Sequence, residues 1–127
     1  MTGLTYDSGA LIAADRKDPR MWAIHKKALE RGVRPVVPAG VVTEAYRSGR
    51  QVRLAQLLAG CQIEALEEAA AKAAGLLLGR CRIDPGAVDA SVAESALRRG
   101  DSVVTGNVEH IHALGTGVNR KIDVIRI

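Results

Sequence analysis

The stretch TYDSGALIAADR, Thr5 to Arg16, joins two patterns across one acid. Before Asp7, "GLTY" reads as a short opening strand; after it, residues 8–15 are small, apolar and helical in character. Asp7 therefore falls at the carboxyl end of a first strand and at the entry to a helix. If such units recur, the chain is an α/β protein. Asp7 then lies on the edge where parallel sheets bind their ligands.

The units do recur. "DPRMWAIHKKALERG" predicts a second helix, with Asp18 as its cap, Pro19 in its first turn and Gly32 as its stop. Trp22, Ile24, Ala28 and Leu29 are its expected inner face. "RPVVP" is a short apolar strand closed by Pro38. Two short helices follow, "AGVVTEAYRSG" ending before Gly49 and "RQVRLAQLLAG" ending at Gly60. "CQIEAL" is a third strand, and "EEAAAKAAGLLLGR" a helix with Glu67 and Glu68 where its dipole favours acids. "DPGAVDASVAESALRRG" is a further helix, opened by Asp84-Pro85 and stopped at Gly100. "DSVVTGN" is a fourth strand running into a polar turn, and "KIDVIRI" closes the chain as a fifth. The expected architecture is a mostly parallel sheet of about five strands, with helices on both faces.

A chain of 127 residues forms one domain, residues 1–127, and buries enough surface to fold without a disulfide or structural metal. With one Trp, two Tyr and no Phe, its core must be built from Ala, Val, Leu and Ile. No apolar run reaches the roughly 18 residues of a membrane span, and the start lacks the pattern of a signal peptide. Cys61 and Cys81 have no CxxC spacing and read as reduced thiols of a cytoplasmic protein. The net charge of +4 is compatible with a polyanionic partner without demonstrating one.

Placement on the sheet sorts the acids. Asp7 follows strand one, Glu44 lies in the helix after strand two, and Asp89 lies near the start of the helix before strand four. Asn107 and Glu109 follow strand four. All of these converge on one edge, whereas Asp101 and Asp123 enter strands four and five at the other. Asp15, Glu30, Glu64 and Glu94 read as solvated surface. Each favoured acid also has an ordinary structural explanation: Asp7 suits an N-cap, Glu44 an exposed partner for Arg47, and Asp89 a first-turn charge. Their combination carries the weight. Three carboxylates among apolar neighbours repel one another and resist ionisation unless a cation sits between them. Mg²⁺, which takes oxygen ligands and keeps several waters, meets that need.

"YDSGALIA", "VVPAGVVTEAYRSG" and "VDASVAESALRRGDSVVTGNVEHI" resemble, in order and spacing, the three signature blocks of the PIN domain, and are closest in wording to the VapC toxins of VapBC toxin–antitoxin modules. The resemblance spans nearly the whole chain. It implies an endoribonuclease dependent on Mg²⁺ or Mn²⁺, a structured RNA substrate (tRNA or rRNA), a cognate VapB-type antitoxin and a homodimer, whose contact is expected in helices around 39–59. It assigns Asp7, Glu44 and Asp89 as the metal-holding acids and Asn107 as the fourth catalytic position, where many PIN domains carry Asp. Asn107 offers a neutral oxygen but no charge. Thr105 becomes a hydroxyl supporting the acids, and Gly9 and Ala10 leave room for substrate. His110 and His112, spaced i and i+2, are expected as surface or supporting histidines rather than a zinc site. Arg47, Arg50 and Arg53 are candidate RNA contacts. The competing reading is a catalytically silent PIN-like module that binds RNA or protein. A phospho-accepting receiver domain fits poorly, because its paired early acids are absent and Lys121 precedes the last strand.

Overall fold

A computed structural model describes residues 2–127; Met1 lies outside the described residues. Strands β1 (Leu4–Tyr6), β2 (Val36–Pro38), β3 (Gln62–Glu64), β4 (Ser102–Thr105) and β5 (Val124–Arg126) form one sheet in the order β3-β2-β1-β4-β5. Every adjacent pair is parallel. The helices are α1 (Ser8–Asp15), α2 (Pro19–Glu30), α3 (Ala39–Ala45), α4 (Val52–Ala59), α5 (Glu68–Arg80), α6 (Ala87–Arg99) and α7 (Val108–Thr116). From β1 the chain builds outward to β3, then returns to lay β4 on the other side of β1. The strand order therefore reverses between β1 and β4, which is where open parallel sheets form their ligand crevice.

Alternation along β1 shows how the layers divide. Tyr6 points to the α2 face, where its hydroxyl lies 2.9 Å from His25 Nδ1. Thr5 points to the opposite face and donates to Asp101 Oδ2 at 2.8 Å. On the first face Leu11, Met21, Leu54 and Leu57 are wholly buried, and on the second Val92 and Leu114. Each such side chain contributes about 1.5–3 kcal/mol by leaving water. The inner face of α2 is Met21, His25 and Ala28, spaced i, i+4 and i+7. The expected Leu29 is instead exposed, because it lies one residue, about 100° of helix rotation, past the buried stripe that ends at Ala28.

Two further expectations are corrected. Glu64 is not free surface. It accepts from Arg98 Nη2 at 2.9 Å, Arg99 Nη1 at 2.7 Å and Ser95 Oγ at 2.7 Å. Arg99 continues to Asp101 at 3.0 Å and to Thr5 Oγ1 at 3.1 Å. Burial works to raise the Glu64 pKa, but the Arg98 and Ser95 hydrogen bonds and the charges of Arg99 and Arg98 outweigh it and hold the carboxyl below its usual range. This network stitches the last turn of α6 to β1 and β3. Asp84, expected to start α6, accepts from the Gly86 amide at 3.1 Å and shapes the preceding turn, so the helix begins at Ala87. Helix α7 has no counterpart in the sequence reading. Its apolar positions Val108, Ile111 and Leu114 carry the signal, but Gly115 and two histidines dilute it over nine residues.

His25 is 3% exposed, and burial holds its pKa below the ordinary value. The neutral ring is thus favoured in the folded state, and the unfolded chain binds the extra proton. The contribution is complete above the unfolded pKa of about 6.5 and is lost as pH falls below it. Urea unfolding between pH 7.5 and 5.5 is expected to show stability falling toward acid, by no more than about 1.4 kcal/mol per pH unit for this one proton. The His25→Gln variant is expected to lose that part of the slope. An identical slope in both proteins would remove His25 as its source.

Candidate active site

The crevice at the switch point is built around Asp7. Its carboxylate is 1% exposed. Oδ1 accepts from the Ser8 amide at 2.7 Å, capping α1, and Oδ2 accepts from the Thr105 hydroxyl at 2.7 Å. The Thr105 Oγ1 in turn accepts from the Asn107 amide at 2.8 Å. The backbone is locked alongside, with the Asp7 amide donating to the Val104 carbonyl at 3.0 Å. Each Asp7 oxygen carries two lone pairs, so both keep acceptor capacity for a further partner. Thr105 therefore supports the acid as expected. The Ser8 hydroxyl stands 3.5 Å from Oδ1 and adds little.

Asp89 arrives from the first turn of α6 and is 7% exposed. Its Oδ2 lies 2.8 Å from His110 Nδ1, and its other oxygen has no hydrogen bond among the described residues. Burial raises the Asp89 pKa, the His110 hydrogen bond opposes that, and the charges of Asp7 and then Glu44 push it up further. The three acids thus share one electrostatic site, with Glu44 at its exposed rim. Helix α3 reaches this position because Gly40 packs against Val88, where an added Cβ would lie 3.3 Å from a Val88 methyl. Arg47 does not pair with Glu44; its guanidinium donates to the carbonyls of Thr43 and Tyr46, both at 2.9 Å.

The neighbouring expectations divide. Asn107 stands at the exposed carboxyl end of β4, at the N-cap of α7, and its side chain caps nothing. Glu109 is exposed one turn position further on. The residue of this segment that reaches the acids is His110. This is the supporting role expected for it, and α7 provides it: a helix begun after Asn107 turns its third residue toward α6. Gly9 does not leave open space for substrate. A Cβ there would lie 2.8 Å from the Gly106 amide nitrogen, so glycine is needed for α1 to close on the β4 turn. Ala10 is fully buried.

The donor set suits a hard divalent cation, which is bound by oxygens and relieves carboxylate repulsion. Among the described residues, no three His, Cys, Asp or Glu side chains stand together ready to hold an ion. A cage of three is not what Mg²⁺ requires: it is usually held by one or two carboxylates, with waters and substrate phosphates completing its shell. Asp7 and Asp89, both buried and both with acceptor capacity to spare, fit that pattern.

Thr105→Val keeps the shape of the side chain and removes its hydroxyl. Asp7 Oδ2 and the Asn107 amide each lose a partner, so a loss of about 1–3 kcal/mol is expected in urea unfolding. His110→Ala is expected to weaken Mn²⁺ binding by about 10–100-fold in titration calorimetry, because Asp89 loses the group that orients it. Unchanged affinity would leave the His110 contact without a role at the acid site.

No family model and no curated protein matches the chain. Solved structures do. A chain in the DNA-bound VapBC structure from Salmonella typhimurium superposes with a TM-score of 0.71 and 19% identity, over 99% of this chain and 98% of that one. A chain in VapBC2 from Rickettsia felis, bound to a promoter DNA fragment, gives 0.69 and 14%, over 98% of both. At these identities the likeness is one of architecture, and it covers the whole molecule: the chain has a PIN-like α/β fold, shared with chains of VapBC complexes.

Proposed function

We propose that this chain is a VapC-type toxin: an endoribonuclease dependent on Mg²⁺ or Mn²⁺ that cleaves structured cellular RNA and is neutralised by a VapB-type antitoxin. The observation that carries this reading is the burial of two carboxylates, Asp7 and Asp89, delivered to the carboxyl edge of the sheet by different elements, where the charges of Asp7 and Glu44 work to raise the Asp89 pKa. The fold shared with chains of VapBC complexes supports the toxin and antitoxin part of the reading. Tyr46 and Val52, exposed at 49% and 61%, offer apolar surface within residues 39–59 for the expected homodimer.

In this reading Asp7 and Asp89 would hold the ion, and Glu44 would add charge from the rim. When bound there, a divalent cation would supply Lewis-acid polarisation of a phosphodiester and a lowered pKa for water. The protein's own contribution is positional. Thr105 and the Ser8 amide fix both oxygens of Asp7. His110 fixes one oxygen of Asp89 and leaves the other free of hydrogen bonds among the described residues. Asn107 holds the fourth position as a neutral amide at the mouth, where it can hydrogen-bond to water or to the substrate.

The test is incubation of the antitoxin-free protein with total RNA, in Mg²⁺, Mn²⁺ or chelator, followed by mapping of the new ends. Discrete metal-dependent cuts are expected. Asp7→Asn is expected to reduce them roughly a hundredfold or more, the loss of several kcal/mol of transition-state stabilisation. The neutral Asn107 favours one competing reading, a silent RNA- or protein-binding module. Folded protein that cuts with neither ion would establish that reading instead.

A further inference from the structure

Beside the acids lies a second feature that their chemistry does not use. A groove of about 420 Å³ runs from Gly9 past Ile12 to the turn between α1 and α2, where Arg16 and Lys17 form its rim. It begins at the first turn of α1, the turn that Asp7 caps, and Gly9 rests on Gly106, next to the Thr105 that holds Asp7. The groove therefore begins two residues from Asp7.

Two cations, Arg16 and Lys17, and one acid, Asp18, line it, and the cations are uncommitted. Arg16, Lys17 and Arg20 are exposed, and among the described residues none of them forms an ion pair. Arg20 donates to the Arg126 carbonyl, which sets it against the end of β5. The nearby acids are held by neutral donors, so their charge remains. Asp18 caps α2 by accepting from the Met21 amide at 3.0 Å, and Asp15 accepts from Gln51 Nε2 at 3.1 Å. Elsewhere arginines are used differently: Arg98 and Arg99 are tied into the Glu64 network.

The backbone at the rim is also unusual. Lys17 has a φ of 63°, the left-handed conformation in which glycine is the ordinary residue. It closes α1, with its amide donating to the Ala14 carbonyl and that of Asp18 donating to the Ala13 carbonyl. A chain that needed only a helix stop would be served better by glycine. Lysine here keeps a cation at the groove despite the conformation, and such strain tends to be retained at functional positions.

We propose that this groove is the track for the phosphate backbone of single-stranded RNA leading to the acid site, with Arg16 and Lys17 as its phosphate contacts. The proposal deepens the nuclease reading and rests on it for the identity of the polyanion. Arg47, Arg50 and Arg53 lie on the α3–α4 segment instead, and Arg47 is turned onto its own backbone.

The experiment measures binding of a short, fluorescently labelled single-stranded RNA by anisotropy, in chelator so that no cleavage occurs. The full-length protein is compared with the double variant Arg16→Ala, Lys17→Gly. Glycine suits the backbone at position 17, so this variant is expected to stay folded. A second double variant, Arg120→Ala, Lys121→Ala, removes the same charge just before the entry to β5, at the opposite sheet edge. With a salt slope of about 0.7 per phosphate contact on single strands, loss of two contacts should lower the slope by about 1.4 and weaken binding about 25-fold at 0.1 M salt. The Arg120, Lys121 pair should change neither. Equal losses in both variants, or none in the first, would overturn the track. Displacement of the RNA by polyglutamate at a lower concentration than by unlabelled RNA would overturn it in favour of an acidic protein segment. The nuclease reading fails separately: groove-dependent binding without metal-dependent cutting by the unmodified chain would sink that reading and leave the track standing.

Discussion

The Asp7 carboxylate is the constraint around which the rest of the molecule is arranged. It is a charge removed from water at the point where the sheet changes direction. Such a charge is tolerated only where strong donors replace its hydration. The Ser8 amide and the Thr105 hydroxyl do so, at 2.7 Å each. One donor belongs to the helix leaving β1 and the other to the end of β4, 98 residues later. The same bonds that make the acid tolerable therefore pin α1, β1 and β4 in register. Gly9 follows from this, because only a residue without Cβ lets α1 close on the Gly106 backbone.

Asp89 completes the arrangement by a different route. It is delivered by α6, which the Glu64–Arg98–Arg99–Asp101 network ties down at the far end. Anchoring the last turn of that helix leaves its first turn fixed against α3 and α7. The acid and His110 then meet at 2.8 Å without a flexible loop between them.

Much of this could be read from single residues. Asp18 before Pro19, and Gly100 after Arg98-Arg99, mark helix ends because capping and left-handed closure are local chemistry. Asp7 could be placed on the functional edge because a strand followed at once by a helix leaves little choice of position. What escaped depends on partners distant in sequence. Glu64 looks like surface until α6 brings two arginines over it. His25 looks polar until Tyr6 and Trp22 close on it, with Trp22 meeting it edge-on at 5.8 Å between ring centres. His110 looks peripheral until α7 is seen to be a helix.

The sequence by itself determined the alternation of strands and helices and the parallel sheet that follows from it. Periodicity, capping and chain direction are properties of neighbouring residues, and they act before any long-range contact forms. Only the tertiary structure decided which acids are buried, which stands on the rim, and that a histidine rather than the asparagine reaches Asp89. It also decided that Arg16 and Lys17 line one groove with Gly9. Burial and charge coupling depend on distances across the fold, and those are set by how α1, α6 and α7 pack on the sheet.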